Sequence, residues 1–435
     1  MLRAVCVGFC LTFSFNASAQ KFLMDIDSSF FIKDTVRPTI KRLENIRIVG
    51  YIQPQFQVAQ SMGASSYSGG NFSQFSSNRF MLRRARVRID YVLPSKGKTP
   101  NAIFAFQVDA TERGVITRDI FLRLFETRKN NFSTTIGLFA RPFGYEVNLS
   151  SSFRETPERG RMSQILMPSE RDLGMMISYE PQTKKQLLKQ IKVDASFFNG
   201  QGLAGTTDFD SYKDFISRLT IKPFKWNKLT MSGGASLLRG SFRNGTKYIY
   251  TTKTTAGGVK SFVVDSVASN FGKAAPRHYF GVDVQTKFSH GWGETELRAE
   301  YWMGMQPGTS SSSVSPGVIP NSNGVPVPTY IRQFNGAFFY FLQNIINKNN
   351  QFLVKYDWYD PNVKVDQTII GTSGTNFTAI DIKYSTIGIG FLRHLNSQTK
   401  LIFYYDFVRN EKTKLAGYTT DLKDNILTCR LQFKF

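Results

Sequence analysis

The side chains best equipped for chemistry in this sequence are arginines set at regular intervals. In RFMLRRARVRIDY (79–91), Arg84, Arg86 and Arg88 recur at every second position. A second group, Arg154, Arg159 and Arg161, falls in PFGYEVNLSSSFRETPERGRMSQILMPSE (142–170), with Arg141 and Arg171 at its edges. A guanidinium presents several N–H donors in one plane and keeps its charge, which suits carboxylates and phosphates. The same region holds Glu155, Glu158, Glu170 and Asp172, so pairing that merely pins the segment is the alternative to open anion binding. The chain carries 55 Lys+Arg against 32 Asp+Glu, a formal charge of +23, and such an excess implies an anionic partner: solute, lipid or polymer.

Catalytic chemistry finds little support. There are three histidines, His278, His290 and His394; the last two fall at expected short turns, far apart in sequence and without paired carboxylates. No glycine-rich phosphate loop opens a helix, and no serine–histidine pair suggests itself. No enzymatic activity, cofactor, metal or nucleic-acid partner is expected. Of three cysteines, Cys6 and Cys10 lie near the start and Cys429 near the end. If the first two are removed on export, no internal disulfide and no multi-cysteine metal site is available.

The elements that hold the arginines alternate with period two. In 79–91 one face carries Met81, Ala85, Val87, Ile89 and Tyr91, the other Arg84, Arg86, Arg88 and Asp90. Thr295, Leu297, Ala299, Tyr301 and Met303 alternate with Glu294, Glu296, Arg298 and Glu300. The last strand sets Leu427, Cys429, Leu431, Phe433 and Phe435 against Thr428, Arg430, Gln432 and Lys434. A helix would mix these sets; a strand between two different solvents separates them. Mean hydropathy is only −0.24 while aromatics reach 14 %, and after residue 19 no run approaches the ~18 apolar residues of a membrane helix.

Sixteen such segments are expected, near 46–58, 79–93, 101–113, 117–127, 131–141, 171–180, 189–197, 212–223, 226–239, 276–289, 292–304, 331–343, 349–360, 376–393, 398–410 and 424–435. The phase changes near Ser385, which reads as a bulge or a misplaced boundary. Every second connection is short and most of the others long, notably 59–78, 142–170, 240–275 and 305–330. That rhythm fits an all-β transmembrane antiparallel barrel with short periplasmic turns and long outer loops. The connection 114–116 is the misfit, a short one where an outer loop belongs. Trp226 and Trp292 sit beside short turns, as an interfacial aromatic girdle would. About sixteen strands leave an aqueous channel rather than a filled core, so Arg84, Arg86 and Arg88 are expected to line water without needing partners.

The start of the chain reads as an export signal: Met1-Leu2-Arg3, an apolar stretch at 4–15, then Asn16-Ala17-Ser18-Ala19 as a cleavage site. Residues 20–45 fit no strand and are expected to form a periplasmic segment before a barrel at 46–435. The location expected is the outer membrane of a Gram-negative cell, crossed many times.

FMLRRARVRIDYVLP (80–94), FAFQVDAT (104–111), RDIFLRLFE (118–126), IGLFARPFGYE (136–146) and SERDLGMMISYEP (169–181) together resemble the phosphate-selective porin O and P family. The resemblance covers roughly residues 79–180 and beyond them extends to strand rhythm and a terminal Phe435. It implies a sixteen-stranded barrel, commonly a homotrimer, whose third loop (142–170) folds into the lumen and whose pore is basic. It implies pore-lining roles for Arg84, Arg86, Arg88, Arg141 and Arg171. With Arg123, Arg154, Arg159 and Arg161 these make the expected anion pathway. The function expected is passive diffusion of small anions, phosphate or organic phosphates among them. The alternative is a channel specific for another solute, such as acidic sugars or hydrophobic molecules, with Phe121, Phe125 and Phe139 as an inward aromatic track.

Overall fold

Period-two alternation becomes structure by letting each strand turn its apolar residues one way and its polar residues the other. The computed structural model describes residues 44–97, 99–183, 185–203 and 207–435. The expected export signal, 1–19, and nearly all of 20–45 lie outside the described residues. In chain order the strands are β1 Ile46–Ala59, β2 Asn78–Leu93, β3 Ala102–Thr111, β4 Gly114–Phe125, β5 Phe132–Ala140, β6 Arg171–Tyr179 and β7 Ile191–Phe198. They continue as β8 Asp214–Trp226, β9 Leu229–Arg243, β10 Ile249–Thr254, β11 Lys260–Asp265, β12 Ala274–His290 and β13 Gly293–Gly308. The last are β14 Asn321–Ser322, β15 Val325–Pro326, β16 Thr329–Ile345, β17 Asn347–Asp360, β18 Tyr384–His394, β19 Thr399–Asn410 and β20 Ile426–Lys434.

Sixteen of these, β1–β9, β12, β13 and β16–β20, pair antiparallel in sequence, and β20 returns to β1 to close a cylinder. At the seam the Gly50 and Phe435 backbones exchange hydrogen bonds of 3.0 and 2.9 Å. Closure leaves no unpaired edge of the kind a lipid bilayer forbids. The outward face is apolar around the wall, with Leu122, Ile136, Leu219, Leu237, Val282, Leu297, Phe339 and Phe403 all exposed. Trp226 and Trp292 are 69 % and 53 % exposed at two short turns, so they belong to the girdle and not to a core. The protein is a transmembrane β-barrel of the outer-membrane type.

All sixteen expected segments coincide with barrel strands. Three details differ. The outer turn expected at 114–116 is Glu112–Arg113, with β4 already running from Gly114, whose φ of +126° suits a residue without a side chain. The segment expected to begin at 376 becomes a strand only at Tyr384, because 379–381 form a short 3-10 turn; the phase change near Ser385 was a misplaced boundary. In β2 a bulge opposite Gln53/Pro54 inserts Arg83 as an extra residue. The inserted residue reverses the alternation, so Met81, expected on the lipid face, is buried and its sulfur accepts a 3.1 Å hydrogen bond from Gln55.

The outer connections pack on one another. Strands β10 and β11 form a hairpin, and β10 runs parallel to the start of β16. Phe262 of β11 joins Val365, Ile370, Phe377 and Ile382 of the connection 361–383 in an apolar cluster.

Candidate functional site

The connection 141–170 leaves β5 and re-enters β6 after crossing the interior of the cylinder. Its central turn is the short helix α1, Arg161–Leu166. On one flank Phe143, Val147, Met162, Ile165, Leu166 and Met167 are buried against inward-facing Phe121, Phe139, Phe198, Leu238, Tyr279, Trp302 and Phe334. Each such side chain contributes roughly 1.5–3 kcal/mol on burial, so apolar packing is a large part of what holds this flank. Gly144 permits the approach: its φ is +68°, and a Cβ there would lie 2.7 Å from the Trp302 ring.

Polar anchors fix the rest. The Glu300 carboxylate on β13 accepts the backbone N–H groups of Tyr145 and Glu146, each at 2.9 Å. Glu146 meets Lys355 of β17 at 3.4 Å, and Glu155 meets Arg298 of β13 at 2.8 Å. Glu158 is held by three guanidiniums: Arg84 at 2.7 Å and Arg83 at 2.8 Å on β2, and Arg430 of β20 at 2.8 Å. Lys400 of β19 donates to the carbonyls of Ser152 and Arg154 at 3.1 and 2.8 Å. Burial pushes the Glu158 and Glu170 carboxyls up, but the surrounding arginines outweigh it. Arg83, Arg84 and Arg430 hold Glu158, and Arg159, Arg118 and Arg171 hold Glu170, well below the usual carboxylate range.

The nine arginines of the expected pathway fall into two groups. Five are ion-paired. Arg84 is on Glu158; Arg86 meets Asp109 at 2.8 Å; Arg88 meets Asp90 at 2.9 Å and Asp119 at 3.6 Å. Arg171 meets Asp119 at 2.9 Å and Glu170 at 3.1 Å, and Arg159 meets Glu170 at 3.3 Å. This corrects the expectation that Arg84, Arg86 and Arg88 need no partners. The inserted loop, the neighbouring strands and Asp90 of β2 itself bring carboxylates to them; Arg84 and Arg86 are buried, where a guanidinium needs compensation, and Arg88 is half-exposed.

The other four have no carboxylate partner among the described residues. Arg123 of β4 donates to Thr135 Oγ1 at 2.9 Å and lies 5.6 Å from the Phe121 ring centre. Arg141 donates to the Ser169 carbonyl. Arg154, 3 % exposed, reaches only the Leu149 carbonyl at 3.3 Å, and its Nε and Nη1 have no hydrogen-bond partner among the described residues. Arg161 lies over two rings, 3.7 Å from the Tyr384 centre and 4.5 Å from that of Tyr67.

Several contributors escaped the sequence reading. Arg83 was hidden by the bulge that turns it inward. Arg118, which contacts Glu170, sits above a register shift opposite Gln107/Val108 that obscures its face. Arg298, Lys355 and Arg430 stood on polar strand faces, but nothing in the sequence tied them to the loop.

Phe121 and Phe139 face inward with ring centres 6.1 Å apart, yet the inserted loop covers them; they are packing surface for it rather than an open track.

No protein-family model matches the chain, and no curated protein does. Solved structures do. Pseudomonas putida OprB aligns at a TM-score of 0.57 and 8 % identity, over 90 % of this chain and 94 % of that one. The outer membrane channel DcaP of Acinetobacter baumannii aligns at 0.51 and 14 %, over 90 % and 97 %. An anion-selective porin from Comamonas acidovorans aligns at 0.50 and 11 %, over 90 % and 99 %. The fold is that of outer-membrane porins. At such identities the likeness concerns the barrel and leaves the solute to be argued from the lumen.

Proposed function

We propose that this chain is a porin through which small solutes diffuse passively across the outer membrane, with a preference for anions. The observation that carries the preference is the uneven pairing of the inserted connection. Its Arg141, Arg154 and Arg161, and Arg123 of β4 beside it, make no ion pair with a carboxylate among the described residues, whereas its four acids, Glu146, Glu155, Glu158 and Glu170, each meet at least one cation. Fixed positive charge in a narrow, low-dielectric passage raises the local concentration of anions and repels cations. The inserted connection 141–170 sets the bore, and the arginines it carries sit where passing solutes are most confined.

Phosphate and organic phosphates are the solutes we favour. The support is the resemblance at residues 79–180, and its motifs bear on the loop. G-L-F-A-R-P-F-G (137–144) and E-R-D-L-G (170–174) are the two points at which the connection leaves and rejoins the wall. We further infer a homotrimer: Phe75, Phe80 and Val115, 84 %, 86 % and 71 % exposed, crowd the outer end of β1–β4, where contact with a neighbouring copy would cover them. Residues 1–19 are proposed as the export signal that delivers the chain and 20–45 as a periplasmic segment.

A second reading rests on a different surface. Phe338, Tyr340, Leu342, Leu353, Leu392, Ile402 and Tyr404 form an inward-facing apolar cluster on β16–β19, with Tyr145 of the inserted connection packed against it; it would favour a solute with a hydrophobic portion once that connection moves aside. Planar-bilayer recording separates the readings. Under a KCl gradient the anion reading requires a reversal potential of anion-selective sign, and added phosphate should reduce the chloride current. A cation-selective potential would falsify the anion preference, and an unchanged chloride current would remove phosphate.

A further inference from the structure

A cluster of positive charge outside the lumen lies on the outer wall, on the face turned toward lipid. Along β9 the buried residues Ser232, Ser236, Leu238 and Phe242 point inward, so Leu237, Arg239, Ser241 and Arg243 point outward. Across the β9–β12 pair Arg239 stands opposite His278, and Arg243 opposite Ala274, next to the exposed Lys273. Below them the same outward face is apolar: Leu237 and Phe280, then Val282 and Val284, all exposed.

The height of these residues is fixed by the girdle. Trp226, Phe288 and Trp292 mark the periplasmic border beside Leu229. A hydrocarbon band about 25 Å tall, crossed by a strand tilted by roughly 40°, takes about ten residues at ~2.5 Å of rise each. Counting from Leu229, the band ends at Arg239 on β9; counting from Phe288, it ends at His278 on β12. Arg239 and His278 therefore sit where acyl chains give way to headgroups on the outer leaflet, with Arg243 and Lys273 one step farther out. The nearby acids, Asp208 and Asp210, make no ion pair with Arg239, Arg243 or Lys273 among the described residues, although Asp210 sets one negative charge beside Arg243. Asp208 is taken by Lys213, and Asp210 accepts the backbone N–H groups of Tyr212 and Arg243 at 3.0 and 3.1 Å. The Arg239 side chain is exposed and makes no hydrogen bond or ion pair among the described residues. Exposed Phe271 and Tyr248 flank the patch and offer amphipathic surface of the kind that settles at a membrane border.

We propose that Arg239, Arg243, Lys273 and His278 form a docking site for the phosphorylated headgroup of an outer-leaflet lipid. Guanidiniums match phosphate oxygens with paired hydrogen bonds, and the patch lies beside acyl chains, away from the lumen. A lipid-borne phosphate is therefore the occupant, and a free phosphate ion in the pore is not.

The test uses the full-length barrel in detergent micelles doped with a synthetic bis-phosphorylated, hexa-acylated glucosamine disaccharide. Lipid retention is read by native mass spectrometry. Wild-type protein should keep the phosphorylated lipid and not its dephosphorylated form. The double variant Arg239→Gln/Arg243→Gln should bind it roughly 25-fold more weakly, about fivefold per removed charge. Arg409→Gln, an exposed arginine on β19 away from the patch, should retain lipid normally. Heat-modifiable migration on gels confirms that each variant is folded, and single-channel conductance should be unchanged, since neither residue faces the lumen. Equal retention by the double variant overturns the proposal. So does competition by inorganic phosphate at matched phosphate concentration, which would mean that the patch does not distinguish lipid from free ion.

Discussion

Arg84 on β2 and Glu158 in the inserted loop meet at 2.7 Å, and both are almost fully buried inside a cylinder whose strands they do not help to close. Arg83 and Arg430 share the same carboxylate. One acid therefore joins the loop to two adjacent walls, β2 and β20 by way of β1. Glu158→Ala should release the loop end and expose three guanidiniums at once. Losing one partner from such a buried cluster costs on the order of 3–5 kcal/mol. The expected outcome is a larger single-channel conductance and stronger anion preference, with the barrel still resistant to detergent. An unchanged conductance would mean that apolar packing alone positions the loop.

Paired and unpaired arginines should behave differently. Arg123→Gln removes a charge with no carboxylate partner and should shift the reversal potential toward cations. The double change Arg86→Gln/Asp109→Asn removes a neutral pair and should leave the potential nearly unmoved. If the double change has the larger effect, the division between the two groups has been drawn wrongly.

Acid should loosen the loop. The folded-state carboxyls of Glu158 and Glu170 are depressed, because neighbouring arginines outweigh burial. A depressed carboxyl contributes stability that is present above its ordinary value, near pH 4.5, and is lost as pH falls through the lower folded value. The part of the conductance that depends on Glu158 and Glu170 should hold down to about pH 4.5 and be lost below it. Glu158→Gln should abolish part of that acid response. An acid response below about pH 4.5 that Glu158→Gln leaves intact would mean that this carboxyl does not hold the loop.

The lipid face gives a thermodynamic check. Val87 and Ile89 are exposed on the outward side of β2. Val87→Arg or Ile89→Arg should cost about 2–4 kcal/mol near the bilayer midplane, measured by reversible unfolding in vesicles. Arg88→Gln, on the opposite side of the same strand, should spare insertion while altering conductance. Normal insertion of Val87→Arg together with failure of Arg88→Gln would mean that the two faces have been exchanged.

Much of the architecture was legible because period-two alternation and connection length report on two different constraints, solvent on each face and geometry at each end. Sixteen segments could be placed on that basis. What could not be read were events that break the period: Arg83 enters β2 as a bulge, turning Met81 inward, and the register shift in β4 masks Arg118. The interior chemistry was half legible. Alternation put Arg84, Arg86 and Arg88 on the inner face, but no local signal could say that Glu158 and Asp109 would come to meet them. Those contacts span 74 and 23 residues, and they exist only once the wall has curved and the loop has turned in.

The inserted segment has a mechanical meaning as well. A hoop of hydrogen-bonded strands resists stretching around its rim, yet flattening it into an oval breaks none of those bonds. Lateral pressure from the surrounding bilayer acts in that direction. Attached through Glu158 to β2 and β20, and through Glu155 and Glu146 to β13 and β17, the segment works as an internal strut between distant parts of the wall. Deleting it should do more than widen the opening: the cross-section would lose its brace, and conductance noise should rise as the cylinder breathes.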